Sequence, residues 1–116
     1  MRFFKTIILL SLLAGTALAF KAPLQEVTIK IASHCDHFDV CETGKSRLEK
    51  ELMLTSGVKA VNIDSKAMTV IIKYNPKRTK PEKIRLVISK AGYDADDVKA
   101  DPKGQKNLDG CCQKKE

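Results

Sequence analysis

The stretch Thr69-Val70-Ile71-Ile72-Lys73-Tyr74-Asn75-Pro76-Lys77-Arg78-Thr79-Lys80-Pro81-Glu82-Lys83-Ile84 changes periodicity partway along, and that change decides the fold. Val70, Ile72 and Tyr74 alternate with Thr69 and Lys73, the period of two of a half-buried strand. Asn75-Pro76 ends it, because proline has no N–H to give to a ladder. A helix follows at once. Thr79-Lys80-Pro81-Glu82 has the spacing of a capping box, and Ile84, Val87, Ile88 and Ala91 then recur at i, i+3, i+4 and i+7 until Gly92 stops the run.

Upstream, Val58, Val61 and Ile63 lead into the turn-like Asp64-Ser65-Lys66 and so pair with the first strand as a hairpin. Before them Leu48, Leu52 and Thr55 fall at helical spacing, with Lys45, Arg47, Glu49, Lys50 and Glu51 on the outer face. Thr43 is placed to cap this helix and Ser56-Gly57 to end it. Earlier still, Val27, Ile29 and Ile31 alternate with Thr28, Lys30 and Ala32 as another half-buried strand. Residues 93–100 carry Asp94, Asp96 and Asp97, so they suit only a weak strand at a sheet edge. The order β-α-β-β-α-β is that of an α+β, ferredoxin-like fold, an antiparallel sheet with two helices on one face.

The 116 residues admit one such unit and exclude a multidomain enzyme. Residues 1–19 read as a signal peptide: Arg2 and Lys5 form a positive start, an apolar run follows, and Ala17-Leu18-Ala19 matches a small-x-small cleavage site. An uncleaved anchor is the rival reading, but the run is shorter than the roughly 20 residues needed to cross a bilayer, so no stable membrane anchor is expected. The expected location is periplasmic or secreted. The domain then occupies residues 20–100. Residues 101–116 hold one large apolar side chain, Leu108, and are expected to form a flexible tail whose deletion leaves stability unchanged. The net charge of +7 sits on a lysine-rich surface without a stacking array around Tyr74 and Tyr93, which argues against nucleic acid. All 4 cysteines, Cys35, Cys41, Cys111 and Cys112, lie after the leader, where disulfides persist. Their pairing is not fixed by sequence.

With its elements in this order, the sequence resembles the heavy-metal-associated domain family, which includes copper chaperones, the amino-terminal modules of metal-pumping ATPases and the periplasmic mercury-binding protein. The resemblance rests on Arg47-Leu48-Glu49-Lys50-Glu51-Leu52, Gly57-Val58-Lys59-Ala60-Val61, Val70-Ile71-Ile72-Lys73-Tyr74-Asn75-Pro76 and Glu82-Lys83-Ile84 running on to Ala91-Gly92-Tyr93. It implies a thiophilic metal ion bound between the first strand and the first helix, a metal transporter or acceptor as partner, and Tyr93 standing just behind the ligands. The family's Cys-x-x-Cys pair would fall on Cys41 and Gly44, so here the second thiol is not in that place. Cys35 precedes Cys41 in a longer loop instead, and Asp39 occupies the family's methionine position.

His34, Cys35, His37 and Cys41 gather two sulfur and two imidazole donors beside a helix amino terminus, a set suited to Cu(I) or Zn(II). A helix amino terminus also favours the thiolate that binds metal. The competing readings are a Cys35–Cys41 disulfide that staples a loop and a redox pair. Cys111 and Cys112 are candidates for auxiliary metal capture or for disulfide exchange. The expected function is an exported protein that carries, buffers or scavenges a copper-, zinc- or mercury-class cation, without catalysis. The alternatives are a thiol-disulfide redox protein, or a disulfide-stapled interaction module without metal. For the leader, amino-terminal sequencing of the exported product is expected to begin at Phe20. A product retained in the membrane and starting at Met1 would contradict the reading of the leader.

Overall fold

The computed structural model describes residues 23–32, 38–41 and 43–108. Its elements are β1 (Gln25–Ala32), α1 (Lys45–Met53), β2 (Val58–Asp64), β3 (Thr69–Tyr74), α2 (Pro81–Lys90), β4 (Asp94–Ala95) and α3 (Pro102–Lys106). The strands form one antiparallel sheet in the order β2-β3-β1-β4. The expected ferredoxin-like order is therefore present, followed by one helix more than the sequence suggested.

Register explains why this sheet has one apolar face. Val27 lies opposite Ile72 and Ile29 opposite Val70 across β1 and β3, while Val61 and Ile63 meet the same two β3 residues from β2. Because side chains alternate along each strand, these pairs share a face. That face buries Ile29, Ile31, Val70, Ile72 and Tyr74 against Leu48 and Leu52 of α1 and Ile84 and Ile88 of α2. A core of this size leaves each aliphatic side chain with a large share of the stability.

Neither helix begins as the sequence suggested. The residue before α1 is Gly44, and no side chain caps it. The Lys45 N–H donates instead to the Phe38 carbonyl at 2.9 Å, so the preceding loop supplies the missing acceptor. A Cβ on Gly44 would run into that same Phe38 carbonyl oxygen, so the two backbone segments can meet only at a glycine. At α2 the cap residue is Lys80, again without a side-chain bond, and Thr79 is buried beside Gly57 rather than turned to the helix. Pro81 at the first turn lacks an N–H and so leaves one fewer donor to satisfy.

The fourth strand is two residues long. Asp94 and Ala95 pair with Ala32 and Ile31 at the sheet edge, and the chain then folds back through Asp96, whose φ of 52° lies in the left-handed region. Asp96 is held there by three bonds. Its N–H donates to the Lys30 carbonyl at 2.7 Å, its Oδ1 accepts the Lys30 N–H at 2.8 Å, and its Oδ2 accepts Arg85 Nε at 2.9 Å. Burial pushes the Asp96 carboxyl up, but the Arg85 and Lys30 hydrogen bonds and the Arg85 charge outweigh it and hold the group below its ordinary range.

The expectation of a flexible tail from Asp101 is corrected over residues 101–108. The Asp101 carboxylate caps α3 by accepting the Lys103 N–H at 2.8 Å, and Pro102 starts the helix. Asp101 N–H donates to the Ser89 carbonyl at 2.9 Å, while the Ser89 hydroxyl donates to the Lys99 carbonyl at 2.6 Å, tying the segment to the end of α2. Gly104 packs directly on Lys90 and Gly92: a Cβ there would overlap the Lys90 carbonyl oxygen. Leu108 is only 4% exposed and belongs to the core. Residues 109–116 and the leader lie outside the described residues, and among those described no helix is long and apolar enough to cross a membrane.

Two outcomes follow from this packing. Leu108→Ala should cost about 2 to 4 kcal/mol in denaturant unfolding, and truncation before Asp101 should lower the thermal midpoint. A truncated protein as stable as the full chain would show that α3 adds nothing to the core. For Asp96, a carboxyl whose folded pKa is depressed contributes stability above its unfolded value, roughly 3.9, and loses it as pH falls through the folded value. Asp96→Asn keeps a residue that tolerates positive φ while removing the charge. Its stability deficit should therefore be full at neutral pH and shrink in acid; a deficit independent of pH would rule out the ion pair as its cause.

Candidate functional site

The loop from β1 to α1 lies at one end of the sheet, together with the β2–β3 turn and the turn from α2 to β4. Its described part, residues 38–41 and 43–44, is held by backbone bonds and by two aromatic rings. Gly44 N–H donates to the Cys41 carbonyl at 3.0 Å, and Lys45 N–H to the Phe38 carbonyl, which closes a tight turn around Cys41. Phe38 is buried in the core and meets Tyr93 edge-to-face, with ring centroids 5.5 Å apart and planes at 82°. Such a pair adds about 0.5 to 1.5 kcal/mol beyond its burial.

Tyr93 joins the loop to the domain. Its ring is 2% exposed, and its hydroxyl donates to the Thr43 carbonyl at 2.6 Å, two residues beyond Cys41. Gly92 sets its position: with φ at 106° it makes the sharp exit from α2 that an L side chain resists. α3 closes over this turn, since a Cβ on Gly92 would lie 2.8 Å from the Gly104 carbonyl oxygen and 2.9 Å from Leu108 Cδ1. Loop, turn and terminal helix are thus one packed unit.

Cys41 is half-buried against the core, four residues before the start of α1. The structure brings it together with Tyr93 through Thr43 and Phe38. The expected ligands His34, Cys35 and His37, and the tail cysteines Cys111 and Cys112, lie outside the described residues. Among the described residues no group of three or more His, Cys, Asp or Glu side chains converges on a metal position. Asp39 contributes a carboxylate 3.8 Å from Lys45 Nζ on the loop surface. A thiol is the donor this loop offers, and it suits a soft cation.

Two members of the site escaped the sequence reading. The signal that could have found Phe38 is a large aromatic inside an otherwise polar loop, a composition that favours tucking inward. The Gly104 contact had no comparable signal, because a glycine within a short lysine-rich segment reads as a helix breaker.

Residues 38–94 match the model of the heavy-metal-associated domain. Among solved structures, oxidized MerP from Ralstonia metallidurans aligns with a TM-score of 0.54 at 18% identity, over 63% of this chain and 94% of its own. A CopZ metallochaperone aligns with a TM-score of 0.52 at 19% identity, over 61% of this chain and 98% of its own. A copper form of a CopA variant from Bacillus subtilis gives 0.52 at 24%, over 66% and 95%. At these identities the likeness is one of fold. No curated protein matches the sequence significantly. On this sheet order, the match over residues 38–94 shows that the chain contains a domain of the heavy-metal-associated family.

Proposed function

We propose that this protein binds a thiophilic heavy-metal cation through Cys41 and Cys35, and that it carries, buffers or scavenges the ion outside the cytoplasm. The observation that carries the reading is the setting of Cys41: a thiol at the amino-terminal approach to α1, on a loop pinned by Phe38 and Tyr93, in a heavy-metal-associated domain. A thiol held this way needs little further ordering to bind. The likeness to a CopZ metallochaperone supports a carrier role.

Cu(I) and Zn(II) are the ions best matched to the donor types, with mercury in the same soft class. His34 and His37 would complete the set where a cation needs more than two donors. Capture and release of an ion require no bond-breaking chemistry, so the protein acts as a binding protein rather than an enzyme. A metal transporter or an acceptor protein is the partner such a carrier serves. The leader and its Ala17-Leu18-Ala19 site support a periplasmic or secreted location.

A competition titration against a chromophoric chelator, under reducing conditions, tests the reading. The parent should take one Cu(I) or Zn(II) per chain, and Cys35→Ser or Cys41→Ser should nearly abolish that binding. Affinity should fall as pH falls, because protons compete for thiolate and imidazole. Loop variants that bind like the parent would remove the site from this loop. A parent that binds nothing, with a fixed disulfide indifferent to metal, would favour an interaction module.

A further inference from the structure

Lys77, Arg78, Lys80 and Lys83 are exposed cations crowded into residues 77–83, with Glu82 the single acid between them, and none of them enters an ion pair among the described residues. With Pro76 and Thr79 they surround one open depression. Register places it at the end of the sheet away from Cys41. Tyr74, the last residue of β3, pairs with Val58 at the start of β2 and with Gln25 at the start of β1, while the Cys41 loop follows the other end of β1. The six residues of β3 hold these ends roughly 17 to 20 Å apart. That is about two Debye lengths at physiological salt, so the basic end does not repel an ion at Cys41.

The same end carries exposed hydrocarbon. α1 runs out into Met53 and Leu54, both exposed, Leu54 to 76%. Gly57, at a φ of 90°, then turns the chain hard against the basic segment: a Cβ there would lie 2.9 Å from Arg78 Cβ, and the Gly57 carbonyl accepts the Asn75 N–H at 2.8 Å. Leu24, just before β1, is exposed at this end as well. Cations beside unpartnered apolar side chains are what a peripheral membrane face needs, because anionic headgroups attract the charges while the apolar groups enter the interface. Composition separates such a face from a protein-binding one. The cores of protein–protein interfaces are depleted in lysine and enriched in aromatic residues, whereas residues 75–83 hold 3 lysines and no aromatic ring. We propose that this end of the domain is a docking face for an anionic lipid surface, on which the protein adsorbs reversibly with the Cys41 loop directed away from the bilayer. The face stands on charge and exposure and is independent of the reading of Cys41 as a metal ligand.

The test is co-sedimentation of the metal-free mature chain, under reducing conditions, with vesicles of phosphatidylcholine alone and with vesicles of phosphatidylcholine and phosphatidylglycerol in equal parts. The parent should bind only the anionic vesicles, and raising the salt to about 1 M, where the Debye length falls to roughly 3 Å, should release it. Lys77→Gln with Lys80→Gln should weaken binding on the order of twentyfold, at roughly fivefold per cation. Leu54→Ser should weaken it severalfold. Lys66→Gln with Lys103→Gln removes the same charge from exposed positions at the Cys41 end and should change binding by less than about twofold. Equal binding to neutral vesicles, or an equal loss in the two double variants, overturns the proposal. A parent that ignores the anionic vesicles overturns it too, and retention on immobilised polyglutamate would then assign the basic end to an acidic polypeptide.

Discussion

The hydroxyl of Tyr93 on the carbonyl of Thr43 is the contact through which the rest of the site is organised. A phenol buried in an apolar core must find an acceptor, and Tyr93 finds it in a backbone carbonyl. By taking Thr43, Tyr93 fixes the loop between β1 and α1 to the turn between α2 and β4. The ring then serves as the floor on which Phe38 stands edge-to-face. What looks like a polar binding loop is thus anchored from beneath by two aromatic residues.

The same contact accounts for the missing cap of α1. With Phe38 drawn inward, its carbonyl faces the Lys45 N–H, and Gly44 must lack a side chain to let the backbones approach. The tucked phenylalanine and the glycine in place of a second thiol are two aspects of one packing arrangement. A cysteine at position 44 would require the loop to move. The consequence of that arrangement is a glycine at the position where the family pattern places its second thiol.

The sheet and both principal helices were legible because their signal is periodic burial. Val27, Ile29 and Ile31 announce a strand by alternation, and Ile84 and Ile88 announce a helix by spacing, whatever lies around them. Helix starts were less legible. Thr43 and Thr79 have the chemistry of caps, but Thr43 gives its carbonyl to Tyr93 and Thr79 is packed beside Gly57, tertiary demands that no local pattern encodes. The terminal helix was misread for a related reason. Asp101-Pro102 is a sound helix start, yet the segment offers a single apolar residue, and the value of Leu108 depends on a cleft at Gly92 that exists only after folding. In the candidate site, Cys41 and Tyr93 could be named from the sequence, whereas the Phe38 and Gly104 contacts that connect them to the domain are products of close packing.

The central claim is that metal acts at the end of the sheet where loop, Tyr93 turn and α3 meet. Mapping backbone amide chemical shifts before and after one equivalent of Cu(I) addresses it directly. The account predicts the largest changes at residues 38–45, 92–94 and 104–108, with the basic segment of residues 77–83 at the opposite end unaffected. Changes confined to that opposite end, or absent from the Cys41 loop, would contradict it.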